Sequence, residues 1–296
     1  MNPQKLGWQS KLVFLAVVPW VTIGVFFDTR GWSRGDAEVA YWTLGLSALL
    51  GLLAWAARSG TLAAAETGAL ITASLMYASV QLPYDPFETA LAPVVTLLVL
   101  TSLATRYGRG SKERIGTAEK RHGRVATQVA ANLGVAALVC QTPVQVWLID
   151  HHLFAPRGLA PMTVFLPSLA ALAEAAADTI SSEFGQVVGG TPWMLTTLQR
   201  VTPGTDGGVT LWGSLAGVWA AGVVAGMGAL ALDGGFEMLA VAWAGGVFGL
   251  FFDSLLGATL EQDGRLNNDA VNFISTASAA AFSLLLLAIL PHPGVG

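Results

Sequence analysis

The segment LAALAEAAADTISSEFGQVV, residues 169–188, carries Glu174, Asp178 and Glu183 among small and apolar neighbours. On a helix, Glu174, Asp178 and Ser182 form one stripe, since four residues turn the chain only about 40° past a full circle; Glu183 points elsewhere unless the helix ends there. An Asp at the centre of an inserting helix costs about 2.5–3.5 kcal/mol, while each Leu, Ile, Phe or Val returns only about 0.3–0.6 kcal/mol. The apolar residues here offset one buried carboxylate poorly and cannot offset three. The acids therefore lie near an interface or face a polar cavity holding cations. A wetted helix end is the plain explanation. A divalent-cation site is the sharper one, because Mg²⁺ prefers one or two carboxylates plus substrate phosphates to a full protein cage.

Three other segments carry complementary chemistry. RVTPGTDGG, residues 200–208, combines Arg200 with a tight turn through Gly204, Thr205, Asp206, Gly207 and Gly208. Such a turn either serves only as a turn or presents backbone N–H groups to an anion, with Arg200 suited to phosphate and Asp206 within reach of a metal. Asp253 is one more acid in an apolar run, and in LNNDAVNF either Asn267 or Asn268 reads as a helix N-cap with Asp269 in the first turn. Asn272 continues into the membrane and needs a polar partner. RIGTAEKRHGR, residues 114–124, places Lys120 and Arg124 just before a span whose first turns hold Gln128 and Asn132. That loop sets topology in any case, and its polar helix start can also reach a phosphate. Other motifs fail: GRGSK lacks P-loop spacing, no G-x-G-x-x-G follows a strand, and no nucleophilic Ser or Cys elbow is present. The adjacent His151 and His152 read as a loop pair on the outer face.

The elements that must position these groups are membrane helices. The chain has 296 residues, is 53% hydrophobic and only 11% charged, against roughly 25% charged in soluble domains. Apolar runs near the ~20 residues needed to cross a bilayer recur at 11–27, 38–57, 61–82, 86–105, 125–148, 160–184, 209–232, 236–259 and 269–290. The expected fold is an all-α polytopic bundle of about nine spans with a cytoplasmic N-terminus. Residues 1–60 read as an extra N-terminal pair and 61–296 as the catalytic membrane domain. Seven of the fifteen Lys and Arg residues fall within 106–124, which makes that loop cytoplasmic by the positive-inside rule. Nine spans then place twelve basic residues inside against Arg30, Arg34 and Arg157 outside. On this orientation the polar segments of distant parts of the chain converge on the cytoplasmic face. Cys140, alone of its kind, reads as a packing residue.

ADTISSEFG (177–185), TPWMLTTLQRVTPGTDGGVTLWGSLAG (191–217) and FDSLLGATLEQDGRLNNDAVNF (252–273) resemble the signature of the membrane family that contains phytyl-phosphate kinase and eukaryotic transmembrane protein 19. GTAEKRHGRVATQVAANLGVAAL (116–138) resembles its Glu-Lys, Gly-Arg, Gln and Asn-Gly block, with Arg200 standing where the family pattern suggests Lys. The resemblance spans roughly residues 110–280 and implies phosphoryl transfer from CTP to an isoprenyl monophosphate in a bacterial-type inner membrane. It implies Mg²⁺ held by Asp178 and Glu183 with Asp206 or Asp253 assisting. The nucleotide would be bound by Arg200 and the 203–208 turn with Asn268, and the acceptor phosphate by Lys120 and Arg124. The partners implied are the lipid substrate, the nucleotide and the bilayer, with no nucleic acid and with room for a homo-oligomer. Two rivals belong to other classes. A CDP-lipid cytidylyltransferase would release pyrophosphate, and an ion-coupled transporter would carry its polar residues through to the outer face.

Overall fold

The computed structural model describes residues 6–116, 123–151 and 161–290; Lys120, His152 and Arg157 lie outside them. Among the described residues the chain forms α1 (Gly7–Gly35), α2 (Ala37–Ala56), α3 (Leu62–Ala78), α4 (Leu91–Arg106), α5 (Arg109–Ile115), α6 (Ala126–Val139), α7 (Thr142–Asp150), α8 (Pro161–Val188), α9 (Leu211–Ala231), α10 (Gly235–Leu256) and α11 (Asn268–Ile289). A small hairpin of β1 (Trp193–Met194) and β2 (Gly208–Val209) joins α8 to α9, and one π-helical turn, Gly257–Glu261, extends α10.

The nine expected apolar runs all become helix, but they are not nine equal spans. Among the described residues six helices are long and apolar enough to cross a membrane, and α6 with α7 makes a further span only if the pair, bent by 53°, counts as one. The bend has a local cause. Pro143 sits in the first turn of α7, and the chain at Gln141 is extended, with φ −65° and ψ 136°. Gln141 is held there by donating from Nε2 to Ser74 Oγ at 2.6 Å, and its amide lies where a side chain on Gly24 of α1 would otherwise sit. Helices α3 and α4 have 17 and 16 residues, about 25 Å at 1.5 Å per residue, which falls short of the ~30 Å hydrocarbon core.

Helix α8 is the axis of the bundle, packed by α4, α6, α9, α10 and α11. Leu169, Ala170, Leu172, Ala173, Ala176 and Ala177 are completely buried. In lipid, apolar helices gain no hydrophobic advantage by leaving the bilayer, so association depends on close backbone approach through small residues. A methyl group on Gly213 or Gly217 of α9 would come within 2.6 Å of the Ser181 carbonyl and 2.7 Å of the Ala177 carbonyl. The outer faces of α1, α2 and α9 instead expose Leu15, Phe26, Tyr41, Leu53, Trp219 and Leu230, as expected for a lipid-facing surface.

One end of the bundle gathers the polar segments. Arg124 at the foot of α6 pairs with the α2–α3 loop, its carbonyl accepting from Thr61 N at 2.9 Å and its N–H donating to Ser59 O at 3.1 Å. The foot of α1 meets that of α11: Gln9 donates to Arg265 O at 2.8 Å, and Asn267 donates to Gln9 Oε1, Leu6 O and Ser10 Oγ at 2.8–2.9 Å. The hairpin caps the end of α10 through Gln262 Nε2, which donates to Asp206 O at 2.9 Å. Helix α1, in the stretch read as an extra N-terminal pair, packs on α3, α6 and α11.

Candidate functional site

The centre of the polar end is built on α8 and α10. Glu174 is only 1% exposed and fits because α10 is glycine there: a methyl group on Gly249 would come within 2.5 Å of the Glu174 Cγ. One turn on, Asp178 meets Asp253 of α10 side chain to side chain, and Ser275 of α11 lies beside Glu174 and Asp253 while its hydroxyl donates to Asn272 O at 3.0 Å. Glu174 Oε1 and Asp253 Oδ2 are buried without a hydrogen-bond partner. Arg124 supplies balancing charge; it acts on Asp178 and donates from Nη2 to Thr179 Oγ1 at 3.3 Å. Glu261, on the π-helical turn, adds to the negative field and couples to Asp206, Asp178 and Asp269.

Two carboxyl groups in direct contact require a proton or a cation between them, and orphan buried oxygens are costly until such a partner arrives. The donor set is all oxygen, which suits a hard cation that takes few protein ligands. Among the described residues no three His, Cys, Asp or Glu side chains form a metal cage, so substrate oxygens or water would have to complete any such sphere.

Glu183, expected beside the metal, has another partner. Its carboxylate accepts from Lys112 Nζ at 2.5 Å, and Lys112, 1% exposed, also donates to the carbonyls of Ala104 and Thr105 at 3.0 and 2.9 Å. The lysine therefore satisfies the end of α4 and fastens it to α8. Stacking of Tyr107 on Phe184, 5.7 Å between centroids, reinforces the joint.

The Gly-rich turn is present, with Gly204 at φ 86° and Gly207 at φ 72°. The expected anion nest is reduced, because the N–H groups of Thr205 and Gly208 bond the turn's own carbonyls, Thr202 O at 3.2 Å and Thr205 O at 3.0 Å. Gly207 has a packing reason for lacking a side chain: any Cβ there would overlap Ala258 on the π-helical turn. Partial burial pushes the Asp206 carboxyl above the usual aspartate range. Arg200 is exposed and its guanidinium lies 5.6 Å over the Trp193 ring.

Asn267, rather than Asn268, caps α11, accepting from Ala270 N at 2.9 Å; Asn268 is the first helical residue and is exposed. Asn272 finds its polar partner in Asn132 of α6, at 2.7 Å. The structure therefore joins Asp178 and Asp253, sets Asp206 beside Glu261, and places Arg124 next to Asp178. Glu183 is diverted to Lys112. Sequence reasoning noticed Glu174 without placing it in the site, and it passed over Lys112 and Glu261. The i, i+4 spacing of Glu174 and Asp178 was the available signal for the first. His151 ends α7, its ring stacked on Trp147 at 4.3 Å.

Comparison with known proteins places this architecture. Uncharacterized membrane protein MJ0933 of Methanocaldococcus jannaschii is 39% identical over 118 residues, 40% of this chain and 49% of its own length. Uncharacterized membrane protein sll0875 of Synechocystis is 31% identical over 199 residues, 64% of this chain and 71% of the relative. Protein VTE6, chloroplastic, of Arabidopsis thaliana is 29% identical over 197 residues, 65% of this chain and 57% of the relative. The chain thus spans about half the length of the first of these relatives. No solved structure matches it. The family model described as Integral membrane protein DUF92 matches residues 45–280, most of the chain, and the protein belongs to that family of integral membrane proteins.

Proposed function

We propose that the protein is a CTP-dependent kinase that converts an isoprenyl, phytyl-like monophosphate to its diphosphate, with the polar end of the bundle facing the cytoplasm. The observation that carries this reading is the Asp178–Asp253 contact flanked by the orphan oxygens of Glu174 and Asp253, with Arg124 alongside. The sequence resemblance to the phytyl-phosphate kinase family and the similarity to the plant relative support it. A phosphate monoester has its second pKa near ~6, so the acceptor is already a charged nucleophile at neutral pH and needs no dedicated base. Its oxygen would form the new P–O bond to the γ-phosphorus as the bond to the departing CDP breaks. Catalysis then consists of aligning two anions and neutralising them.

Mg²⁺ would supply that neutralisation when bound, with Asp178 and Asp253 as ligands and Glu174 beside them. Arg124 would hold the acceptor phosphate, together with Lys120, while Arg200 and the 203–208 turn would meet the nucleotide phosphates. Purified protein incubated with γ-labelled CTP and a panel of prenyl monophosphates tests the reading. Labelled prenyl diphosphate and free CDP are expected. Release of pyrophosphate with a CDP-lipid would instead mark a cytidylyltransferase, and the absence of any lipid product would sink both enzymatic readings.

A further inference from the structure

A cleft of about 130 Å³ opens beside this site, between α2, α3, α4 and α6. Its deep walls are apolar, formed by Leu50, Val94, Leu97, Leu98, Val129 and Leu133. Its polar end carries Arg58, Arg106 and Arg109, and the same three arginines line a second, open hollow with Ala57 and Glu113. Arg106 is positioned by donating from Nη2 to Ala57 O at 2.7 Å, and Arg109 pairs with Glu113 at 3.0 Å. Among the described residues the mouth carries three guanidinium groups and the Glu113 carboxylate, beside an apolar slot. The wall nearest the carboxylates is made by Arg124 and Asn132. Arg124 reaches Thr179 and Asp178 on α8, and Asn132 bonds Asn272 on α11. One residue layer therefore separates the slot from the acidic site.

We propose that this cleft seats the acceptor lipid, its anionic phosphate head drawn in past Arg58, Arg106 and Arg109 to Arg124 and the first isoprenoid unit between α2, α3, α4 and α6. The phosphotransfer reading above supplies the identity of the lipid; the apolar slot and its arginine-lined mouth stand apart from it. Guanidinium groups bind phosphate oxygens in forked pairs, so charge selects the head group. Size selects the tail. The slot is close to the ~150 Å³ apolar cavity that takes a single benzene ring, which is room for one five-carbon branch and too little for the two acyl chains of a phospholipid. Because α3 and α4 are short, the remainder of the tail leaves the slot sideways into the bilayer. Selection by the protein then falls on the head and the first isoprene unit, with weak dependence on total chain length.

The test uses the full chain in phosphatidylcholine nanodiscs and a farnesyl monophosphate carrying a diazirine on its first isoprene unit. Irradiation should label peptides of α3 and α4 around Gly68–Thr72 and Val94–Leu98. Unlabelled farnesyl monophosphate should compete, while farnesol, inorganic phosphate and phosphatidic acid should not. At Gly68 an added Cβ would touch only Val129 Cγ1, at 3.9 Å, so Gly68→Leu fills the slot without disturbing the backbone. It should weaken labelling and raise KM for the prenyl phosphate about a hundredfold with KM for CTP unchanged. Arg58→Gln should raise the same KM about tenfold. Labelling elsewhere, equal competition by phosphatidic acid, or a Gly68→Leu protein that labels and turns over like the parent would overturn the assignment. Cleft labelling without diphosphate formation would retain the lipid site and refute the kinase; diphosphate formation with an unlabelled cleft would do the reverse.

Discussion

Two carboxylate positions on α8 lie close in sequence and differ in what balances them. Glu183 is answered by the chain itself, through a lysine with almost no exposure that also satisfies two carbonyls of α4. Glu174 and Asp178, nine and five residues earlier, face Asp253, with Arg124 nearby and two oxygens of the cluster unpartnered. An acid closed off by its own protein is a fastener. A buried acid pressed against another acid is an incomplete site, because its charge is balanced only when something else arrives.

The sharpest test of this contrast is Asp178→Asn or Asp253→Asn. Each should reduce CTP-dependent diphosphate formation by about a thousandfold, at the upper end of what one electrostatic group contributes, while the thermal unfolding midpoint in detergent holds or rises because a like-charge contact has been removed. A variant that loses its fold instead would show the pair to be structural. Lys112→Met should behave oppositely, costing about 3 kcal/mol of stability by leaving the partly buried Glu183 unpaired, and Lys112→Met combined with Glu183→Gln should regain most of the loss. If Glu183→Gln abolished turnover with unfolding unchanged, the contrast would disappear.

Asn272→Leu, which strands Asn132, is expected to cost about 1 kcal/mol, the usual scale of an interhelical polar contact in lipid, read from the same melting curves. The smallest effect concerns Asp206. Its carboxyl lies above the ordinary 3.8 of an aspartate, so the folded state keeps a proton that the unfolded chain has released. Stability contributed at this position is therefore present below pH 3.8 and is lost as pH rises through the folded value. The difference in unfolding midpoint between parent and Asp206→Asn should decline across that window and then level off.

The architecture was largely legible because apolar run length alone reports a bilayer-crossing helix. The sequence could not show that α3 and α4 stop short, nor that Pro143 and Gln141 would bend α6 from α7 rather than leave one straight span. In the site, the stripe of Glu174 and Asp178 follows from helical period. Its pairing with Asp253, 75 positions away from Asp178, depends on the glycines that draw α10 onto α8, and small-residue runs have no partner written into them. Lys112 was hidden by its setting: a lysine in a basic loop looks like a topology signal until the loop folds back onto the helix that needs it. The glycine turn at 203–208 was visible as a turn, but the direction of its N–H groups is set by which carbonyls lie within reach.

The clasp between Gln9 and Asn267 ties together two helices more than 250 positions apart, and α11 beyond it supplies Ser275 to the acids of α8 and α10. During synthesis α11 leaves the ribosome well after α8 has entered the bilayer. For that interval the nascent bundle holds its acids without their hydroxyl neighbour, and α1 waits beside an open seam. Insertion of α11 thus closes a ring, and the acids gain Ser275 beside them only at that step.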